Sequence, residues 1–223
     1  MTEKNFKELF EEINENIHFR KLYISVYKKL ENKNDLNILE FGVSEQAMTT
    51  KIFLELLKKK NGKLYSVDII DYSNKFNENE WTFINCRDDE YEKINKFIPK
   101  KLDVILLDTL HNAKHVEKIF YNYFKRLKKN GIFYIDDISW IPYIKSNRKD
   151  NNYIEINNQE TFEKLLEIYN SNLEKFDIEF NFIGTGLAII TKKNEDNLIK
   201  PEILKSRKYS LKNIIKRKIG QFK

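Results

Sequence analysis

A single cysteine, Cys86, stands among 223 residues, so the chain can build neither a disulfide nor a thiolate zinc site within itself. Glycine is also scarce. The six present form no Gly-x-Gly-x-x-Gly fingerprint and no phosphate-cradling loop ending in Lys-Ser/Thr, so the two common devices for gripping a pyrophosphate are missing. That disfavours a nicotinamide-dependent oxidoreductase and favours a ligand held by its ribose and by small charged groups. No apolar run approaches the roughly 18 residues of a membrane span. The opening Met1-Thr2-Glu3-Lys4-Asn5-Phe6 carries no apolar signal core. A cytoplasmic protein is expected, and a hydrophobic content of 41% is enough for one sizeable core.

The net charge of +6 is unevenly spread: nine Lys and Arg against one acid, Glu202, lie between Lys200 and Lys223. The rest of the chain is slightly acidic, which argues against a nucleic-acid groove across the main domain, because phosphate binding needs clustered positive charge. In the tail, Leu211, Ile214, Ile215, Ile219 and Phe222 trace one helical face, with Lys212, Lys216, Arg217 and Lys218 largely on the rest. A basic amphipathic helix of this kind suits an anionic membrane surface, which would make the protein peripheral to the inner face of a membrane, or a protein partner. A helix folded back on its own domain, or a disordered basic end, is the plainer alternative.

What the sequence has in abundance is short apolar runs ending in an acid. Asn37-Ile38-Leu39-Glu40, Leu64-Tyr65-Ser66-Val67-Asp68, Val104-Ile105-Leu106-Leu107-Asp108 and Ile132-Phe133-Tyr134-Ile135-Asp136-Asp137 read as parallel strands buried on both faces. Their acids would emerge together at the strand carboxyl ends, the edge where open α/β sheets bind ligands. Between them the pattern predicts helices over about Ala47–Lys59, Asp89–Phe97 and Ala113–Lys129, with a further strand at Trp81–Asn85 and the fifth strand starting at Gly131. Strand and helix in alternation mean crossover units and a mostly parallel sheet. Two runs, Phe176–Ile183 and Leu187–Thr191, flank Gly184-Thr185-Gly186 and predict an antiparallel hairpin closing the sheet. Ahead of the sheet, residues 1–35 form a helical extension, packed on the sheet edge or over the ligand, with Phe6, Leu9, Phe10, Ile13 and Ile17 on one face. The main domain is placed at 36–192 and the basic tail at 193–223. Within the domain, 138–158 is expected to be a substrate loop or lid because of its polar, Asn-rich stretch from Ser146 to Asn158, followed by a helix at about Gln159–Tyr169.

Gly42, in Glu40-Phe41-Gly42-Val43-Ser44-Glu45-Gln46-Ala47, lets the backbone come close to a ligand. Free amides at the following helix start, near Ser44, can receive polar groups. Asp68 is placed to accept hydrogen bonds from ribose hydroxyls, or simply to cap a turn. Asp108 and the pair Asp136-Asp137, on neighbouring strand ends, could converge on one hard cation or bond adjacent loops.

Taken in order, Leu39-Glu40-Phe41-Gly42, Tyr65-Ser66-Val67-Asp68, Val104-Ile105-Leu106-Leu107-Asp108 and Leu127-Lys128-Lys129-Asn130-Gly131-Ile132-Phe133-Tyr134-Ile135-Asp136-Asp137 resemble the successive motifs of class I S-adenosylmethionine-dependent methyltransferases, over roughly Leu36 to Thr191. The resemblance implies a Rossmann-like, mostly parallel seven-stranded sheet with a C-terminal antiparallel hairpin and helices on both faces. It implies that Glu40, Gly42, Ser44 and Asp68 border S-adenosylmethionine, and that Arg87, Asp88 and Asp108 complete its site. Gln46 and Cys86 stand where that family often has glycines.

The triad Asp108, Asp136 and Asp137 is similar to the magnesium-binding acids of the cation-dependent O-methyltransferases in that class. The implied reaction is methyl transfer to a small-molecule hydroxyl, with a sugar or glycan precursor as the expected acceptor, with Mg2+ assistance and with His111 as the base beside Asp108. The rival reading is a non-catalytic interaction protein on a degenerate methyltransferase scaffold, its tail the working part. His115 is read as solvated and His18 is given no role. Trp140, Pro142 and Tyr143 lie just beyond the acid pair, where the Trp and Tyr rings can pack on a sugar or aromatic acceptor or serve as lid packing.

Overall fold

Alternate residues of the central strands fall into two separate apolar clusters, as the two-residue period of a strand requires when both faces are covered. Leu39, Phe41, Ile105, Leu107, Phe133 and Ile135 face one way. Leu36, Ile38, Val104, Leu106, Ile132 and Tyr134 face the other. The computed structural model describes residues 16–58, 60–141, 152–204, 210–212, 215 and 219.

The sheet has seven strands: β1 (Leu36–Phe41), β2 (Gly62–Asp68), β3 (Trp81–Asn85), β4 (Leu102–Leu107), β5 (Leu127–Asp136), β6 (Phe176–Asn181) and β7 (Leu187–Lys192). Their order is β3-β2-β1-β4-β5-β7-β6. The first five strands pair in parallel. The last two form the expected antiparallel hairpin, and β7 inserts between β5 and β6. The crevice rule for such a sheet points to the carboxyl ends of β1 and β4, where the strand order reverses.

An N-terminal segment, α1 (Ile17–Leu22), continues through a π-helical turn (Tyr23–Tyr27) into α2 (Lys28–Leu30). With α3 (Met48–Leu57), it covers one face of the sheet through Phe19, Leu22, Val26, Leu30, Ile52 and Phe53. The described part of the extension, from residue 16, therefore packs on a face of the sheet, and its His18, Lys21 and Leu22 reach the cleft at the sheet's carboxyl edge. The short α4 (Tyr91–Ile94), α5 (Ala113–Phe124) and α6 (Asn152–Asn170) cover the other through Ile94, Val116, Phe120, Tyr123, Leu165 and Ile168. No helix among the described residues is long and apolar enough to cross a membrane.

Two boundaries differ from the sequence reading. The helix expected to run to Lys129 stops at Phe124, and β5 begins at Leu127 because Leu127 pairs with Leu102 ahead of a register shift before Val104. Lys128 then sits on Asp103, with both carboxylate oxygens within 2.9 Å. The second difference is α6, which starts at Asn152, inside the stretch expected to be a loop. Its inward positions are Asn158, Thr161, Leu165 and Ile168, and the two polar members hide the helical period from a hydrophobicity reading. Residues 142–151 of that expected lid, with Pro142 and Tyr143, lie outside the described residues.

Candidate active site

At the carboxyl edge, Phe41 is followed by Gly42, whose φ of +94° belongs to glycine's range. A Cβ there would lie 1.9 Å from the Asp108 carbonyl oxygen, so glycine is required for the ends of β1 and β4 to approach. The turn is held from β2. Asp68 Oδ2 accepts from the amides of Val43 (2.8 Å) and Ser44 (3.5 Å), and Oδ1 accepts from Ile70 (2.9 Å). Asp68 is thus a turn-capping carboxylate, and each of its oxygens keeps lone-pair capacity for a further donor. Beyond the turn, α3 starts at an uncapped Ala47 in left-handed backbone with no acid in its first turn. Its free amides and positive dipole end face the cleft wall formed by Met48 and Thr49, which suits a ligand carboxylate.

This cleft has a volume of about 250 Å3 and is lined by Gly42, Val43 and Ser44 on one side and by Asp108, Asp136 and Asp137 on the other. His18, Lys21, Leu22 and Thr185 complete the wall. The expected acids occupy distinct environments within and around it. Glu40 is fully buried behind the Gly42 turn and does not reach the cleft surface. Its Oε2 accepts from Thr50 Oγ1 (2.8 Å) and Ser66 Oγ (2.6 Å), and Trp81 Nε1 donates to the same Ser66 hydroxyl at 3.0 Å. Burial pushes the Glu40 carboxyl up to about 8, against the two hydroxyls that favour the anion and with the aid of nearby Asp108 and Asp68.

Asp108 is also pushed up, first by poor hydration at the strand end and then by Asp136, with His111 opposing. The cleft wets about a third of its side chain, which limits that rise. His111 Nε2 lies 3.5 Å from Asp108 Oδ1 and 3.5 Å from Asp137 Oδ2, so the imidazole bridges two carboxylates. Asp137 itself adopts left-handed backbone at φ +58°, a strained turn that aims this carboxylate back toward His111.

The third strand-end region holds a surprise. Asp88 is buried, and its Oδ2 takes a hydrogen bond from Thr109 Oγ1 and lies 2.7 Å from His115 Nε2. His115, expected to be solvated, is instead a mostly buried brace between the β3 and β4 ends and α5. Arg87 turns outward to pair with Asp89 at 3.0 Å. Cys86 sits in the apolar core and Gln46 is exposed, so neither lines the cleft.

Sequence reasoning missed Lys21. This lysine is 1% exposed and reaches from α1 to donate to Asp136 Oδ1, to Thr185 Oγ1 at 3.0 Å and to the Gly186 carbonyl at 3.3 Å. The expected three-carboxylate magnesium site does not fit this arrangement, because one of its ligands already carries an ammonium. Among the described residues, no group of three or more His, Cys, Asp or Glu side chains is placed to hold a metal ion. The signal was local: Lys21 adjoins Leu22 and follows Phe19 by two residues in the short helix Ile17–Leu22, so it falls beside that helix's buried positions.

Residues 39–138 match a family model described as a methyltransferase domain. Comparison with curated proteins gives no match. Among solved structures, MycE from the mycinamycin biosynthetic pathway, in complex with Mg, SAH and mycinamycin VI, is similar with a TM-score of 0.57 at 18% identity, over 80% of this chain and 50% of that one. The chain thus spans about half the length of that protein. SAH-bound PaMTH1 of Podospora anserina gives a TM-score of 0.60 at 12% identity over 79% of each chain. A putative caffeoyl-CoA O-methyltransferase of Staphylococcus aureus gives 0.55 at 19%, over 82% of this chain and 88% of that one. The fold is therefore that of the class I S-adenosylmethionine-dependent methyltransferases. Residues 39–138, somewhat under half of the chain, are similar to the methyltransferase-domain model, and the similar structures include neighbours of the O-methyltransferase type.

Proposed function

We propose that this chain transfers a methyl group from S-adenosylmethionine to a hydroxyl of a small molecule, a sugar or glycan precursor being the acceptor class that suits the polar wall of the cleft. The observation that carries the reading is one continuous cleft. It joins the Gly42 turn and the start of α3 to Asp108 and Asp137, the two carboxylates that His111 bridges. The cofactor, when bound, would supply an electrophilic methyl carbon on a sulfonium, with the thioether as the leaving group for an attacking hydroxyl oxygen.

The chain's own residues then have separable tasks. The α3 amides receive the carboxylate of the amino-acid end, Gly42 allows its close approach, and Asp68 and the turn it holds border the ribose. His111 Nε2 takes the proton that the acceptor hydroxyl loses, and Asp108 and Asp137 stabilise the imidazolium that forms. Glu40 supports the turn from behind. Asp88 and the backbone beside Arg87 shape the adenine end without offering a free carboxylate. No step of this route passes through a divalent ion.

Calorimetry with S-adenosylhomocysteine and the ligand-free protein tests the reading: binding is expected, and its absence would leave an interaction protein on a methyltransferase scaffold. For the tail we propose contact with an anionic lipid surface. Leu211, Ile215 and Ile219, spaced four apart, are 79%, 56% and 60% exposed, within the segment that carries the excess of Lys and Arg.

A further inference from the structure

Lys21 presents three N–H donors, and three oxygens receive them: Asp136 Oδ1, Thr185 Oγ1 and the Gly186 carbonyl. Such a fully coordinated ammonium is a bound cation that the chain supplies to itself. Its position is the one in which Asp136 would otherwise serve a divalent ion. Asp136 Oδ1 further accepts from the Asp137 amide at 2.8 Å, so that oxygen is already shared between two donors. An ion entering beside Asp136 would have to strip this ammonium from its carboxylate and leave it buried, unpaired and next to a like charge. Removing the counterion of a buried charge is among the costliest local changes a fold can undergo.

The surrounding charges support the same conclusion. Asp108, Asp136 and Asp137 crowd one strand edge, and like charges this close raise one another's energy unless a cation is set among them. Lys21 meets Asp136, and His111 meets the other two. The scaffold secures the lysine from two independent elements. Its helix is buried against the sheet through Phe19 and Leu22, and its partners Thr185 and Gly186 come from the β6–β7 hairpin. Gly186 is itself fixed, since a Cβ there would meet Ser139 at 2.7 Å.

We propose that Lys21 is the resident cation of the acceptor side of the cleft, standing in the place of a divalent metal, so that the site works without one. The inference rests on reading the cleft as a methyltransferase site, but its test does not. Lys21 acts here as a positioning residue: it holds Asp136 and the hairpin in register and keeps the net charge of the carboxylate group low enough for a neutral hydroxyl to enter. A purely structural lysine would stabilise the fold in the same way but would not control whether metal binds.

The probe is Mn2+ alone, followed by the loss of its free-ion paramagnetic resonance signal on titration into the full chain. Wild type and Lys21→Arg are expected to leave Mn2+ free. Lys21→Met, which keeps the volume and removes the charge, is expected to bind it at least about tenfold more tightly than wild type, a modest figure for deleting an ammonium from a carboxylate ligand. Adding Asp136→Asn to Lys21→Met should remove that gain. Lack of any gain in folded Lys21→Met overturns the proposal. Should Lys21→Met not fold, wild type decides alone: stoichiometric Mn2+ binding that Asp136→Asn abolishes overturns the proposal, and a silent titration upholds it. Failure to bind S-adenosylhomocysteine would sink the methyltransferase reading while leaving the Mn2+ result intact, so the two failures are distinguishable.

Discussion

Replacing Glu40 by Gln should flatten the dependence of stability on pH across the neutral range. The carboxyl is fully buried and its pKa stands near 8 against an ordinary value of 4.5. Between those values the native state keeps a proton that the unfolded chain has released, so stability falls as pH rises through the window, and the loss is complete once pH exceeds the folded value. At about 1.36 kcal/mol per pKa unit, the whole penalty is about 5 kcal/mol, of which about 2.7 kcal/mol accrues between pH 6 and pH 9. Gln preserves the volume, and its carbonyl can accept from Thr50 and Ser66 as Oε2 does. Its amide would occupy the place of Oε1, which has no partner among the described residues, at a roughly pH-independent cost of 1–3 kcal/mol. Urea unfolding of both proteins at pH 6 and pH 9, followed by the fluorescence of Trp81 whose indole bonds Ser66, isolates the effect as a difference of differences. Parallel losses in the two proteins would refute the reasoning, because they would mean that Glu40 titrates normally despite its burial.

Gly42→Ala should cost at least about 3 kcal/mol, from the left-handed backbone together with overlap on the Asp108 carbonyl, and thermal unfolding would show a variant of unchanged Tm to be incompatible with the observed turn. Once an acceptor is in hand, His111→Gln should lower turnover by about 10²–10⁴ while calorimetry finds S-adenosylhomocysteine affinity unchanged; equal losses in both would reassign His111 to the fold. Flotation with phosphatidylserine vesicles should capture the full chain at low salt and release it as salt is raised, and Leu211→Glu with Ile215→Glu should abolish capture; retention by the double variant would remove the apolar face from the contact.

The strands carrying the site were legible because each is buried on both faces and therefore appears as an uninterrupted apolar run ending where an acid begins. Ile38, Leu39, Val104, Ile105, Leu106, Phe133 and Tyr134 are all essentially inaccessible, so the apolar signal outweighs the few polar residues inside these strands, such as Glu40 and Ser66. The closing hairpin was legible from Gly184 and Gly186, both at positive φ. The start of α6 was hidden because Asn158 and Thr161 occupy inward positions that a hydrophobicity pattern assigns to apolar residues. The start of β5 was hidden because Leu127 is separated from the rest of the strand by the exposed Lys129 and Asn130, and only its pairing with Leu102 reveals it. His115 illustrates a different limit: its partner Asp88 is 27 residues away, and no local pattern predicts that pairing.

The site acids show why positions were easier to infer than roles. A carboxylate's function depends on what remains after its neighbours have used it, and those neighbours are distant in sequence. Glu40 is sealed from water and retains its proton, Asp68 is committed to amides of the β1 turn, Asp88 to Thr109 and His115, and Asp136 to Lys21, 115 residues upstream. Only Asp108 and Asp137 retain side chains that both line the cleft and face the imidazole of His111. A sheet edge that looks strongly anionic in sequence therefore shows the cleft two carboxylates bridged by an imidazole and a third already paired with an ammonium. In the proposed reaction that imidazole takes the acceptor's proton, while the ammonium of Lys21 on α1 is the positive charge set beside Asp136.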